Sequence, residues 1–241
     1  GGTPPDVVVM ELGWYMPLAG AGILENLLPY LEPDAEWQAM KSDFFYNVAE
    51  GFITPQGGLH GMPIDINLRM LFYNRDHFDA AGLEYPRDDW SWDEFHSAAR
   101  TLTQVGLDGS VQRYGTNPFH GPPSQWLTWV HGNGGRIVDR MVEPTRSTFG
   151  TDPAVRQTFH DMVELIHTYR AAPPPGANAN FAAGRSSMNL NWMEMIHTYE
   201  TQFPNLNYAM APQPVLKDPY TAMGVRLVGR RDRGVAQERG G

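Results

Sequence analysis

Asp65, Asn67 and Arg69 stand at every second position of one extended segment and carry three different kinds of polar side chain. Apolar residues fill the positions between them, and this alternation is typical of a β-strand with one polar and one apolar face. An ionised carboxylate accepts hydrogen bonds, a guanidinium donates them, and an amide does both. Three such side chains on one strand face are unusual where that face only meets water. We therefore interpret the polar face as the lining of a binding cleft.

A second candidate group follows a short apolar run near the start of the chain. We interpret residues 6–10 as a buried parallel strand, because three valines stand together there. Glu11 and Trp14 come next, and open α/β sheets bind their ligands at the carboxyl ends of the strands. We expect both side chains to face a ligand. The sequence leaves open the alternative that Trp14 only covers the core.

Motifs for catalysis or metal binding are scarce in the sequence. The eight histidines show no metal-ligand spacing, and the chain has neither a Gly-x-Ser-x-Gly elbow nor a phosphate-binding loop. The absence of cysteine excludes disulfides, thiol nucleophiles and cysteine-based metal sites. Carboxylates are plentiful, so a glycosidase pair such as Glu11 with Asp65 stays open by residue type. The residues alone therefore allow both binding and turnover.

The composition limits the classes of partner. A net charge of −9 argues against nucleic acid, which requires a clustered basic surface. No apolar run has the length of a membrane span. A chain of 241 residues is long enough to bury a sizeable core, either as one large domain or as two small ones.

Helix signals surround the candidate residues. Ser91 and Glu94 have the spacing of a capping box. Gly82 is placed to end a short helix that begins near Arg75, and Asp152 followed by proline opens another. Further helices are indicated over residues 21–31, 36–50 and 124–131.

Several motifs taken together resemble one known family. Gly61–Leu83 carries Gly-x-Pro, Tyr-Asn-x-Asp and Ala-Gly-Leu, and Trp92–Thr103 carries Trp-Asp-Glu-Phe. Phe181–Trp192 runs from Phe-x-x-Gly to a tryptophan, although Asn191 replaces the usual small residue before it. Tyr208–Pro214 ends on Pro-x-Pro. The combination resembles the bacterial extracellular solute-binding proteins, specifically the maltose-binding-like, sugar-binding family that supplies ABC importers.

The resemblance implies an α/β fold of the two-lobe periplasmic-binding-protein type II, incomplete and truncated at both ends. The first lobe would comprise residues 1–64 plus 210–241, and the second lobe residues 65–209. The crossings near Asp65 and Met210 would act as the hinge about which the lobes close. Residues 225–241 show no usable periodicity. We interpret them as the product of a reading-frame shift.

The resemblance also implies a function. The protein would bind a sugar or oligosaccharide in an interlobe cleft and deliver it to the membrane permease of an ABC importer. It would be a monomer in the periplasm or a cell-surface lipoprotein whose signal segment is absent from this chain. We predict no enzymatic activity, no metal or cofactor and no nucleic-acid partner. The alternatives are a carbohydrate-active enzyme using Glu11 and Asp65, or an interaction module without a role in transport.

The predicted ligand-binding residues combine hydrogen-bonding and stacking groups. Asp65 and Arg69 would form hydrogen bonds to the ligand, and the tryptophans would stack on sugar rings. Trp126 and Trp129 are three residues apart on one helix face. We place Trp126 in the cleft and expect at least one of the two in the core. The complete predicted set is Glu11, Trp14, Asp65, Asn67, Arg69, Trp126, Trp192 and Glu194.

Overall fold

The computed structural model describes residues 5–43, 52–117, 123–140, 144–217 and 223–232, and these residues form a mixed α/β structure. The strands are β1 Val7–Glu11, β2 Met62–Asn74, β3 Gln104–Val105, β4 Val111–Arg113, β5 Met188–Trp192, β6 Tyr208–Ala211 and β7 Met223–Arg230. The α-helices are α1 Leu12–Gly20, α2 Leu28–Leu31, α3 Ala35–Met40, α4 Arg75–Ala81, α5 Trp92–Leu102, α6 Pro123–Gly132, α7 Pro153–Val163 and α8 Met195–Gln202. Within the described ranges, every helix is too short or too polar to cross a membrane.

The chain divides into two compact units. The first unit contains Gly1–Asn67 and Met223–Gly241, and the second contains Leu68–Ala222. The chain enters the second unit within β2. The last strand of that unit is β6, which pairs with β2 and places Phe72 directly opposite Met210. The chain leaves the unit after Ala222. The assignment of these segments to the two lobes of a whole protein stays a prediction.

In the first unit, β1 pairs antiparallel with β7 in the strand order β1–β7–β2. The expected parallel pairing is therefore wrong, since the partner strand comes from the far end of the chain. Met10 and Leu227 are buried on one face with Tyr15 of α1. Val7 and Val9, on the other face, are 58% and 55% exposed. The three valines thus form a half-exposed strand, not a buried one.

The segment that begins at residue 225 is structured. Leu227 in β7 is fully buried, and the Nε atom of Arg230 lies 3.1 Å from a carboxylate oxygen of Glu25. Arg231 forms a second ion pair with Asp6 at 3.2 Å. The expectation that this segment lacks usable periodicity is therefore wrong for the described part. Residues 233–241 lie outside the described residues.

The predicted helix over residues 21–31 is wrong in its position. Helix α1 precedes it, and Gly22 follows α1 in the left-handed conformation, with φ of +69°. Such a residue commonly ends a helix. Leu24 then forms a strand-like bridge with Arg231, and the chain becomes helical again only in α2.

The predicted helix over residues 36–50 is confirmed at its start. Asp34 caps α3, because its side chain accepts a hydrogen bond from the backbone N–H of Trp37 at 2.8 Å. A 3₁₀ turn over Lys41–Asp43 follows. Residues 44–50 lie outside the described residues.

In the second unit, β2 pairs antiparallel with both β5 and β6. Leu71 of β2 is opposite Leu190 of β5 and Ala211 of β6, and all three are buried. The helices pack their apolar residues around this sheet. The core includes Phe78, Trp90, Phe95, Leu102, Trp129, Leu165 and Met188.

The helix ends predicted for this unit are confirmed. Gly82 ends α4 with φ of +64°. The Ser91 hydroxyl accepts from the N–H of Glu94 at 3.2 Å, and the Glu94 carboxylate accepts from the N–H of Ser91 at 2.8 Å. Asp152 accepts from two backbone N–H groups at the start of α7. The predicted helix over residues 124–131 is confirmed as α6.

The burial of the side chains on the two faces of β2 does not follow their polarity. Ile64 is 51% exposed and Ile66 is 37% exposed, so the expected apolar inner face is wrong at these positions. Arg69, on the polar face, is only 2% exposed. The long strand passes from one unit to the other within these residues, and the packing on each face changes along it.

Candidate ligand-binding site

Arg69 and Trp192 form the centre of the candidate site in the second unit. They are direct partners across β2 and β5, and the guanidinium carbon lies 4.6 Å from the centre of the Trp192 ring. The Nη1 atom of Arg69 also donates to the carbonyl of Leu190 at 3.1 Å. Burial lowers the pKa of Arg69 to about 10, which leaves the side chain charged at neutral pH. The arginine therefore holds a cation against one face of the indole.

Asn117 supports this pair from a distant part of the chain. Its side-chain amide donates to the Leu190 carbonyl at 3.2 Å, and its side-chain oxygen accepts from the Leu190 N–H at 3.1 Å. The buried asparagine thus binds the edge of β5 as a neighbouring strand would. Because 73 residues separate Asn117 from Leu190, no local motif in the sequence indicates the contact.

Trp192 and Glu194 lie where β5 ends and the chain turns into α8. The Trp192 side chain is half-buried, and its backbone N–H donates to the side chain of Asn191 at 2.9 Å. Glu194 is exposed at the N-cap position, directly before the helix begins, and its side chain makes no capping hydrogen bond. Asn191, which departs from the family motif, therefore contributes to the turn that presents the tryptophan.

The two tryptophans of α6 have different surroundings. Trp129 is fully buried and stacks on Phe95 at 5.5 Å. Trp126 is half-buried, with its ring 5.4 Å from Phe159 of α7 and 6.0 Å from Phe149. The core position expected for one of the pair is occupied by Trp129. The aromatic contacts of Trp126 belong to helix packing, and its role in ligand binding stays a prediction.

Asp65 forms an ion pair in the first unit. Both Nε and Nη2 of Arg226 donate to one Asp65 oxygen, the former at 2.7 Å. The Arg226 guanidinium holds the pKa of Asp65 below its usual value. Glu11 is the direct partner of Arg226 across β1 and β7, so the three side chains lie across three neighbouring strands. The sequence prediction misses Arg226, because it interprets residues 225–241 as the product of a reading-frame shift without usable periodicity.

Trp14 and Asn67 complete the predicted group in the first unit. Trp14 is 65% exposed in the first turn of α1, whereas the next residue, Tyr15, is fully buried. The Tyr15 hydroxyl donates to the carbonyl of Phe52 at 2.6 Å. The alternative that Trp14 covers the core is therefore wrong, because Tyr15 is the residue of this turn that is buried in the core. Asn67 is half-buried in β2.

One group of possible metal ligands occurs among the described residues. His160, Asp161 and Glu164 place one ligand atom each within 4.8 Å of one another, at the end of α7. Two ion-pair distances in this group are 3.9 Å, and His160 is exposed. Exposed acidic groups of this kind commonly occur without a metal. The candidate ligand-binding residues are elsewhere in the chain.

Solved structures share the fold of this chain. A Listeria monocytogenes ABC substrate-binding protein, Lmo0181, solved in complex with cycloalternan, matches with a TM-score of 0.80 and 21% identity over 95% of this chain and 57% of its own. A mannobiose-bound protein, CpMnBP1, matches with a TM-score of 0.77 and 24% identity over 96% of this chain and 59% of its own. Maltose-bound MalE3 of T. maritima matches with a TM-score of 0.72 and 19% identity over 96% of this chain and 58% of its own. These matches confirm the predicted α/β fold of the two-lobe periplasmic-binding-protein type.

Curated relatives match a shorter part of the chain. The sn-glycerol-3-phosphate-binding periplasmic protein UgpB of Agrobacterium fabrum is 24% identical over 128 residues, and that of Brucella abortus is 26% identical over the same length. Each match covers 53% of this chain and 27% of the relative. The chain thus spans about a quarter of these relatives and under two thirds of the solved structures.

A family model provides the broadest match along the sequence. It is described as bacterial extracellular solute-binding protein, and it matches residues 1–226 of the 241. The match includes the whole second unit, residues 1–67 and 223–226 of the first unit, and every predicted site residue. This chain belongs to the family of bacterial extracellular solute-binding proteins.

Proposed function

We propose that this chain is part of a receptor that binds a sugar or oligosaccharide and delivers it to an ABC importer. The observation that carries the proposal is the half-buried Trp192 ring at the end of β5, with the Arg69 guanidinium against one face. An indole held in this way offers a flat apolar surface to the apolar face of a pyranose ring. The exposed Trp14 offers a second aromatic surface in the first unit.

The polar residues of the predicted set suit a ligand rich in hydroxyl groups. Asp65, Glu11 and Glu194 accept hydrogen bonds when ionised, and Asn67 both donates and accepts. Carboxylates and aromatic rings together match the two kinds of surface that a sugar presents. The names of the solved relatives mention cycloalternan, mannobiose and maltose as their bound ligands, which supports the same ligand class for this chain.

Membership of the family supports a proposal for the partner and the location. The whole protein would present its sugar to a membrane permease from the periplasm or from a lipid anchor on the cell surface, as a monomer. Residues 1–64 plus 210–241 and residues 65–209 would belong to its two lobes. Closure would use the crossings near Asp65 and Met210 as the hinge.

The ion pair of Asp65 argues against this residue as the general acid of a glycosidase. A glycosidase needs one carboxylic acid whose pKa is raised, so that it carries a proton to the leaving group. The ion pair with Arg226 lowers the pKa of Asp65 instead. Asp65 would therefore stay ionised at neutral pH, where it accepts hydrogen bonds from sugar hydroxyls.

A thermal melt with a panel of sugars tests the proposal. A ligand present at about one hundred times its dissociation constant stabilises a folded protein by roughly 2.7 kcal/mol. We expect the unfolding temperature of the chain to rise with at least one mono-, di- or oligosaccharide at millimolar concentration. A cooperative melt that no sugar in the panel moves would contradict sugar binding and favour a module without a role in transport.

A further inference from the structure

Gln213 follows β6 in the second unit, and its side chain is buried without a hydrogen bond. The residue is 6% exposed, and neither the nitrogen nor the oxygen of its side-chain amide has a hydrogen-bond partner among the described residues. A buried polar group of this kind destabilises the folded chain, because it loses its contacts with water and gains none in return. Such a group therefore indicates strain, a bound water or a ligand.

The other buried side-chain amides of the described residues each form at least one hydrogen bond. Asn189, for example, donates to the Tyr199 hydroxyl at 2.9 Å. The complete group is Asn74, Asn117, Asn133 and Asn189. Gln213 differs from all of them, since both of its polar atoms are without a partner in the described part of the chain.

The strand register brings this amide to the pair formed by Arg69 and Trp192. Leu71 of β2 is directly opposite Ala211 of β6. Continued by two residues on each strand, the same antiparallel register would place Arg69 opposite Gln213. Trp192 of β5 is opposite Arg69 on the other side of β2. Opposite residues of antiparallel strands lie on the same face, so the three side chains share one row within the second unit.

Two prolines support this continuation of the register. Pro212 and Pro214 are the neighbours of Gln213 in the chain. A residue directly before proline is restricted to extended conformations, and this holds for both Ala211 and Gln213. The backbone thus continues in the direction of β6 and has little freedom at Gln213. A group held in this way lowers the entropic cost of binding.

The row lies at the border of the apolar core. The preceding row consists of Leu71, Leu190 and Ala211, which are all buried. Trp192 is half-buried, so its own row reaches the surface of the unit. Two strand spacings, about 10 Å in total, separate Trp192 from Gln213. The indole and the amide would therefore contact different parts of one ligand.

We propose that Gln213 is a ligand-binding residue, whose side-chain amide donates to one hydroxyl of the ligand and accepts from a neighbouring hydroxyl. The proposal rests on the proposed sugar-binding function and names the group that is recognised, a pair of adjacent uncharged hydroxyls. A glutamine amide carries donors and an acceptor next to each other. Adjacent hydroxyls of a sugar offer the complementary pair, and the ligand thereby pairs the polar atoms that the protein leaves without partners.

The stability of the chain without ligand provides the first test. Gln213→Met retains the length of the side chain and removes the amide. It should raise the unfolding temperature, because it removes a buried polar group that has no partner. Asn189→Leu is the comparison and should lower the unfolding temperature, because its amide is bound to Tyr199. A lower unfolding temperature of Gln213→Met would show that the amide is paired within the protein and would overturn the proposal.

Titration calorimetry of the full 241-residue chain with glucose, maltose and mannobiose provides the second test. Gln213→Met should bind the sugar that the wild type binds at least about fivefold more weakly, because two neutral hydrogen bonds are lost. Gln202→Met, at an exposed position of α8, is the matched control and should bind as the wild type does. Equal affinity in the wild type and in Gln213→Met would overturn the proposal.

Nuclear magnetic resonance of the isotope-labelled wild type needs no substitution. The side-chain amide signals of Gln213 should shift when the sugar is added, whereas those of Gln202 should not. Unshifted Gln213 signals in the presence of a bound sugar would overturn the proposal, even if Gln213→Met does not fold.

The two proposals fail in different ways. A folded wild type that binds none of the sugars contradicts the proposed function, and the role of Gln213 is overturned with it. A wild type that binds a sugar without any effect on Gln213, or of its substitution, contradicts the inference alone.

Discussion

The guanidinium carbon of Arg69 lies 4.6 Å from the centre of the Trp192 ring, across the pairing of β2 with β5. The arginine reaches this position because its Nη1 atom is bound to the Leu190 carbonyl, which Asn117 also contacts. The cation contacts one face of the indole, so the orientation of the ring is determined by buried neighbours. A ring oriented before the ligand arrives lowers the entropic cost of stacking.

Trp192→Ala should weaken sugar binding with little loss of stability. An aromatic contact contributes about 0.5–1.5 kcal/mol, which corresponds to a loss of affinity of roughly 2- to 13-fold. The lost cation–π contact should cost about 1 kcal/mol of unfolding free energy. Calorimetry with the sugar found in the melt, together with urea denaturation, measures both effects.

Trp129→Ala is the matched control for this prediction. Its ring is fully buried among Phe95 and Trp92, so we expect a loss of stability of about 3–5 kcal/mol. Equal sugar affinity in the wild type and in Trp192→Ala would remove Trp192 from the site.

Arg69→Lys should destabilise the chain although it retains the charge. A lysine has no planar fork with which to donate to the Leu190 carbonyl and lie flat on the indole at once. We expect a loss of about 2 kcal/mol in urea denaturation. Arg100→Lys provides the comparison, since Arg100 lies 4.2 Å from the Tyr169 ring but is exposed. It should change stability by less than about 0.5 kcal/mol, and equal effects of the two substitutions would contradict the structural role of Arg69.

His77 should make stability depend on pH between about 4 and 6.5. Burial, and then the nearby charge of Arg113, lower the pKa of His77 from 6.5 to about 4, while Asp76 opposes them. In this window the unfolded chain binds more protons than the folded chain, so stability falls as the pH decreases from 6.5 towards 4. Allowing for partial exposure, we expect the contribution to be about 1–2 kcal/mol.

His77→Asn tests this prediction, because its side-chain amide can replace the Nδ1 contact with the Ser187 hydroxyl, which is 3.1 Å long. Urea denaturation at several pH values should show a smaller loss towards pH 4 in the variant than in the wild type. His197→Asn, at an exposed position of α8, controls for the removal of a histidine. Identical pH profiles for wild type and His77→Asn would show that His77 does not titrate in this way.

Ser91→Ala should lower stability by removing the cap of α5. The Ser91 hydroxyl accepts from the Glu94 N–H and donates to the Glu94 carboxylate at 2.8 Å. Loss of such a cap costs about 1 kcal/mol, which thermal denaturation detects. Ser97→Ala lies on the exposed side of the same helix and should be neutral or slightly stabilising. An unchanged melting temperature in Ser91→Ala would contradict the cap and leave the packing of Phe95 as the main support of this helix end.

Local signals in the sequence proved accurate in the second unit. The capping box at Ser91, the glycine end at Gly82 and the cap at Asp152 all act within four residues of the chain. Backbone hydrogen bonds at helix ends are satisfied by neighbours in sequence, so residue types at fixed spacing predict them. The buried positions of α5 follow from the same helical period.

Local signals in the sequence did not predict which distant segments pair with each other. Residues 6–10 looked like a buried parallel strand, whereas the partner of β1 is an antiparallel strand more than 200 residues later. The segment around Leu227 is stabilised by β1, β2 and α1, and its own residues do not indicate these partners. Arg226 was missed for that reason, although it contacts a residue that the sequence did single out.

By itself the sequence determined the family, the α/β class, the helix ends of the second unit and the residue types of the candidate site. These depend on motifs and on spacings within single segments. Only the tertiary structure decided that Arg69 is buried against Trp192, that Tyr15 rather than Trp14 fills the core, and that Arg226 neutralises Asp65. Burial and charge pairing are properties of residues brought together from distant parts of the chain, and the free energy of a charged group depends on those neighbours.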